Sequence, residues 1–159
     1  TEIKYLFKLI DNFFNKEINN IIKNNIKVII SGRTKKLPAN IQNTLKIAMN
    51  RTKKNNKLTI NLAINYGSKT EIIDAIKKIN YSSKKITEEN IEKNFYTALP
   101  FPDILVRTGG QKRLSNFMLW QLSYSEIFFL DKLWPDFTKK DLKNIINKFQ
   151  KVKRNFGSI

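Results

Sequence analysis

Residues 103–137, DILVRTGGQKRLSNFMLWQLSYSEIFFLDKLWPDF, hold the densest gathering of side chains able to do chemistry. Five strand-forming residues, 103–107, run into the glycine pair Gly109-Gly110, with Arg107, Lys112, Arg113 and Ser115 around it. Successive main-chain N–H groups that glycine leaves accessible form a concavity for anions, and an arginine fork matches phosphate oxygens. The carboxyl end of a strand is a common ligand position in α/β proteins, so the loop reads as a phosphate or diphosphate site. It is not a P-loop, because no Gly-Lys-Ser/Thr follows at the required spacing. The bland alternative is a solvated basic turn between two buried segments. Further on, Glu126 is the one acid of residues 116–130, amid Trp120, Tyr124, Ile127, Phe128 and Phe129. An unpaired carboxylate buried there would be costly, so it calls for a metal ion, a lysine partner or an outward orientation.

Composition narrows the chemistry. The 159 residues carry 30 Lys+Arg against 13 Asp+Glu, a net charge of +17, spread along the chain. Such an excess favours anionic partners: phosphorylated metabolites, nucleic acid or an acidic membrane surface. There is no cysteine and no histidine. Disulfides, thiolate metal sites and imidazole bases are therefore excluded, and a bound metal must be a hard ion on carboxylate and phosphate oxygens, which suits Mg²⁺. No apolar stretch approaches 18 residues and no secretory signal opens the chain, so a cytoplasmic protein, at most peripheral at the membrane surface, is expected. The first residue, Thr1, reads as a sign of processing or truncation.

The elements that must position these groups follow from periodicity. Apolar residues from Ile3 to Ile22 recur at three-to-four spacing and predict a helix over 2–24. IKVIIS at 26–31 predicts a strand ended by Gly32, and Pro38 precedes a helix over about 40–54 with Ile41, Leu45, Ile47 and Ala48 inward. LTINLAI at 58–64 predicts a second strand. Ser68 with Glu71 has the form of a capping box opening a helix to about 79. Thr87 caps a short helix over 88–96, and residues 103–107 form the third strand. A short helix is expected over 116–122, a strand over 126–130, and a last helix after Thr138 and Asp141, a weaker box. Alternating helices and strands imply an α/β fold, a mainly parallel sheet flanked by helices, in one domain.

VRTGGQKRLSNFMLWQLSYSEIFFLDKLWPDF strongly resembles the signature of the cis-prenyltransferases, the undecaprenyl diphosphate synthase family. ISG at 30–32 and LTINLAINYGSK at 58–69 support the match. The resemblance implies condensation of isopentenyl diphosphate onto an allylic diphosphate such as farnesyl diphosphate, with Mg²⁺ present. It also implies a homodimer, an elongated apolar tunnel for the growing chain and a polyprenyl product that associates with membrane. By motif, Arg107, Arg113 and Ser115 resemble the residues that grip isopentenyl diphosphate, with Gly109 and Gly110 supporting them. Glu126 resembles the carboxylate near Mg²⁺ and diphosphate. Asn65 and Gly67 stand in the family's N-Y-G-G-R stretch, although Ser68 and Lys69 replace its Gly-Arg ending.

Other departures bear on completeness. The family's M-D-G-N-x-R-W segment, whose Asp handles Mg²⁺ and the allylic diphosphate, has no counterpart in the sequence, so no catalytic Asp is assigned. Gln111 replaces the acid usual after the glycine pair, and the terminal R-x-G pattern is altered around Arg154 and Gly157. These departures lead to the expectation of a C-terminal portion of the domain with an incomplete fold, inactive alone. A non-catalytic partner subunit and a basic nucleic-acid-binding domain are the competing functions, though the aromatics fall at apolar-periodic positions and no nucleic-acid partner is expected.

Overall fold

The apolar spacing of the first residues folds as a single helix, α1 (Glu2–Lys23), and a parallel strand pair lies beside it. The computed structural model describes residues 2–153, so the altered terminal pattern around Arg154 and Gly157 lies outside the described residues. The chain divides into two compact units, residues 1–98 and 99–159.

In the first unit, α1 is followed by β1 (Ile26–Ser31), α2 (Ala39–Thr52), β2 (Leu58–Ala63), α3 (Ser68–Tyr81) and α4 (Glu88–Glu92). β1 and β2 pair in parallel without a break, from Ile26 opposite Leu58 to Ser31 opposite Ala63. Parallel strands need a crossover, and α2 supplies it. One core cluster joins Phe14, Ile18 and Ile21 of α1, Val28 and Ile30 of β1, and Ile41, Leu45 and Ala48 of α2. Ile47, expected inward, is exposed instead. Thr52, fully buried, stitches helix to strand: its hydroxyl accepts from the Val28 N–H at 3.0 Å and donates to the Ala48 carbonyl at 2.8 Å.

Gly32 decides how the chain leaves β1. Its φ is +123°, and a Cβ built there would sit 2.1 Å from the Ile64 carbonyl oxygen. Only glycine fits that conformation and that approach. Glu71 does not complete the expected capping box. The N-cap of α3 is Gly67, with no side-chain cap bond. Ser68 and Glu71 are both buried, and Glu71 instead accepts from the Tyr66 hydroxyl at 2.6 Å and the Tyr96 N–H at 2.9 Å.

In the second unit, β3 (Ile104–Arg107) and β4 (Glu126–Phe129) pair in parallel, Ile104 opposite Glu126 and Arg107 opposite Phe129. α5 (Lys139–Phe149) follows, and its N-terminus carries a full capping box between Thr138 and Asp141. The helix expected over 116–122 is absent. Ser115, Asn116 and Met118 have φ of 48°, 62° and 44°, and left-handed residues so closely spaced interrupt a right-handed helix. Each unit holds a two-stranded parallel sheet among the described residues.

Candidate active site

The loop after β3 is shaped by its own main chain. Gly109 and Gly110 take φ of +88° and +74°. Their N–H groups, expected to cradle an anion, are already used: Gly109 donates to the Lys132 carbonyl and Gly110 to the Leu130 carbonyl, each at 2.9 Å. The Leu130 N–H in turn donates to the Arg107 carbonyl at 2.8 Å. The glycines therefore fasten the loop to the chain leaving β4, and anion binding falls to side chains.

Arg107 and Ser115 meet there. One Nη1 of Arg107 donates to the Arg113 carbonyl and lies 3.3 Å from the Ser115 hydroxyl. Arg113 projects from the same turn, exposed, and its Nη1 donates to Gln111 Oε1 at 2.7 Å. Every acceptor in these bonds is neutral, so neither guanidinium is neutralised by them. Gln111, which replaces an acid of the family pattern, orients Arg113 without cancelling its charge.

Beside the cluster lies a cavity of about 340 Å³ lined by Leu105, Val106, Arg107, Thr108, Leu114 and Phe117. A cationic fork and hydroxyls on an aliphatic and aromatic wall suit a small ligand with an anionic head and a short apolar tail. Thr108, Leu114 and Phe117 were not singled out by the sequence, because their alignment on one wall depends on the left-handed turn at 115–118.

Glu126 stands elsewhere on the strand pair. It opens β4 opposite Ile104, whereas Arg107 closes β3 opposite Phe129. Three residues of parallel strand separate the two levels by about 10 Å. An odd offset also puts the two side chains on opposite faces of the sheet. The carboxylate nearest the glycine pair is Asp131, whose Oδ1 lies 3.7 Å from where a Cβ on Gly110 would sit. Among the described residues, no three His, Cys, Asp or Glu side chains group to hold a metal ion by themselves. A divalent ion held there would take few of its ligands from protein carboxylates.

Asn65 and Gly67 belong to the first unit, in the loop after β2. Asn65 has φ of 49°, its side-chain amide donates to the Arg33 carbonyl at 3.0 Å, and its carbonyl accepts from the Arg33 N–H at 3.2 Å. The loops leaving β1 and β2 are thus latched together. Arg33 then forks onto Asp74, Nε to Oδ2 at 3.0 Å and Nη2 to Oδ1 at 2.6 Å, and the Tyr96 hydroxyl donates to the same carboxylate at 2.6 Å. The Arg33 fork, reinforced by Tyr96, holds the Asp74 pKa down at about 2 against the opposing effect of partial burial. Burial, with Asp74 beside it, pushes the Tyr96 phenol up to about 12. The sequence reading missed this network. Its signal was the pair of acids three apart on one helix, Glu71 and Asp74, just after an Asn-Tyr-Gly turn.

Between α1 and the β1–β2 sheet opens a larger groove of about 700 Å³ whose apolar wall includes Leu9, Phe13, Ile21, Val28, Ile60 and Leu62. No helix among the described residues is long and apolar enough to cross a membrane.

Comparison with known proteins matches residues 1–157 to the prenyltransferase family model described as "Putative undecaprenyl diphosphate synthase". The isoprenyl transferase of Fusobacterium nucleatum is 40% identical over 99% of this chain and 69% of its own length. That of Rickettsia bellii is 44% identical over 99% of this chain and 70% of its own. A crystal structure of a probable undecaprenyl diphosphate synthase from Campylobacter jejuni superposes with a TM-score of 0.92 at 37% identity, covering 99% of this chain and 75% of that one. Lavandulyl diphosphate synthase from Lavandula x intermedia, solved with dimethylallyl diphosphate, gives 0.91 at 28% identity, over 99% and 72%.

These matches overturn the expectation of a C-terminal portion with an incomplete fold. The family model spans residues 1–157 and the relatives' alignments take in 99% of the chain, so its α/β elements, parallel strands with flanking helices, match those of the family. Its motifs, its elements and its relatives agree: the chain belongs to the undecaprenyl diphosphate synthase family of prenyltransferases, enzymes that bind isoprenoid diphosphates with a divalent metal, and its activity is isoprenyl transfer.

Proposed function

We propose that the cavity beside Arg107 receives isopentenyl diphosphate and that the protein condenses it onto an allylic diphosphate of the farnesyl type. The observation that carries this reading is that Arg107, which meets Ser115, lines a 340 Å³ cavity walled by Leu105, Val106, Leu114 and Phe117. Arg107 and Arg113 hold the diphosphate head as charge-assisted donors, Ser115 adds a hydroxyl, and the apolar wall takes the five-carbon tail. In the transfer, the allylic C–O bond breaks and diphosphate departs with the electron pair. The isopentenyl double bond forms the new C–C bond, and a proton is lost to give the new double bond. Side chains that fix the isopentenyl group against the allylic carbon lower the barrier by proximity. The groove between α1 and the first sheet, apolar along Phe13, Ile60 and Leu62, is the channel for the growing chain, each buried CH₂ contributing about 0.8 kcal/mol.

A bound Mg²⁺ would stabilise charge developing on the departing phosphate oxygens. Glu126 is the carboxylate supplied by the motif register, and Asp131 is the one lying beside the glycine turn. Exposed apolar side chains of the second unit, among them Ile127, Phe129, Leu133, Trp134 and Ile146, support a homodimer.

The test is binding of isopentenyl diphosphate to Arg107→Ala by calorimetry. Loss of a charge-assisted contact worth about 1.5–3 kcal/mol predicts an affinity drop of roughly 10- to 100-fold with the fold unchanged. Unaltered affinity would reject the assignment.

A further inference from the structure

The carboxyl ends of β1 and β2 carry a cavity that isoprenyl transfer, as described above, does not use. It measures about 530 Å³ and is bordered by Arg33, Lys35, Lys36, Asp74, Lys78 and Tyr96. Four cations thus face one carboxylate. That carboxylate is already engaged by both nitrogens of the Arg33 fork and by the Tyr96 hydroxyl. Its charge is spent on Arg33, which leaves the positive potential of the three lysines to act on whatever enters.

Arg33, Tyr96 and Lys78 are held by the surrounding structure, and Lys35 and Lys36 are exposed at the cavity's edge. The Arg33 main chain is clamped to Asn65 in both directions, and Gly32 can only be glycine. Tyr96 is anchored through its N–H on buried Glu71, and Lys78 reaches the Asn94 carbonyl at 3.0 Å with its ammonium 6.0 Å from the Tyr96 ring centre. A preformed cationic concavity at strand carboxyl ends is where α/β folds place anionic ligands. The apolar part of the lining is lysine stems and the Tyr96 ring, and the charged groups left unspent are three ammoniums, so the ligand class follows from charge and is a phosphate oxyanion.

We infer that this cavity, built wholly from residues 32–96, is a second phosphate-oxyanion site, filled by free diphosphate or by the headgroup of an anionic lipid. Inorganic diphosphate, the anion released at each condensation, is the probe. Calorimetry on the full chain should give two sites. Changing Lys35, Lys36 and Lys78 together to Gln should weaken one of them by at least about tenfold, the scale of one lost charge-assisted contact, while isopentenyl diphosphate still binds and reports an intact fold. The double variant Arg107→Gln, Arg113→Gln should lose the other site and keep this one. Two undiminished sites in the lysine variant, or a wild type with a single site that only the arginine variant removes, would overturn the inference and leave the Arg107 assignment standing. If the arginine variant keeps both sites and the lysine variant loses one, the Arg107 assignment fails and this one stands. Sedimentation with phosphatidylglycerol vesicles, set against phosphatidylcholine, separates the two sources. Lysine-dependent pelleting that diphosphate competes away upholds the site with a lipid headgroup as ligand. Diphosphate binding without pelleting upholds it with the free anion.

Discussion

Arg107 and Glu126 are both polar residues of an otherwise apolar strand pair, and the register gives them different surroundings. Arg107 closes β3 against the Ser115 turn, whereas Glu126 opens β4 on the opposite face. That separation makes the metal ligand a question with two named answers. Glu126→Gln and Asp131→Asn should be compared for the Mg²⁺ concentration that gives half-maximal turnover. The carboxylate that holds the ion should raise that concentration by roughly tenfold or more, on the scale of one lost charged contact, and the other should leave it in place. If neither moves it, neither carboxylate holds the ion. A second residue-scale expectation comes from Asp74, whose pKa is lowered from 3.8 to about 2 by Arg33. A lowered carboxylate stabilises the fold above its unfolded pKa, and that contribution disappears as pH falls from about 4 towards 2. With the fork partly open to solvent, Asp74→Asn should cost about 1 kcal/mol near neutral pH. The gap between wild type and variant in urea melts should close over that acid window. A gap constant down to pH 2 would refute the linkage.

At the scale of elements, the two loops leaving β1 and β2 behave as one latch. Gly32 makes the close approach to Ile64, and Asn65 exchanges bonds with Arg33. Gly32→Ala would place a methyl carbon 2.1 Å from a backbone oxygen in a conformation that favours glycine, so a loss of about 2–4 kcal/mol is expected in denaturant unfolding. Stability within a few tenths of wild type would show that the latch yields freely. ISG at 30–32 gave the position of this glycine in the sequence. Its necessity did not show there, because the clashing oxygen comes from a residue 32 positions further on.

At the scale of the whole molecule, charge and cavities divide the work. The net charge of +17 suits a protein whose ligands are diphosphates. The groove of about 700 Å³ between α1 and the first sheet is its largest apolar recess described above. Ile60, 38% exposed in β2, faces that groove and can be enlarged without disturbing a closed core. Ile60→Trp should shorten the polyprenyl products, read by chromatography of the extracted lipids, with little change in isopentenyl diphosphate affinity. An unchanged product distribution would remove the groove from the chain's path.

Most of the element order and the family were legible in local pattern. The three-to-four spacing of Ile and Phe fixed α1, β-branched runs fixed β1 and β2, and the long motif from Arg107 to Phe137 is read residue by residue. The rest depended on contacts between residues distant in the chain. Whether a glycine N–H is free depends on a carbonyl far along the chain, and here Leu130 and Lys132 take both. The failed helix at 116–122 had helical composition but left-handed turns at Ser115, Asn116 and Met118, which the packing of the loop imposes over weak local propensity. The Arg33, Asp74 and Tyr96 network was illegible for the same reason. Its members are 41 and 22 residues apart, and only the folding of the loop after β1, the middle of α3 and the segment after α4 brings them within hydrogen-bonding distance.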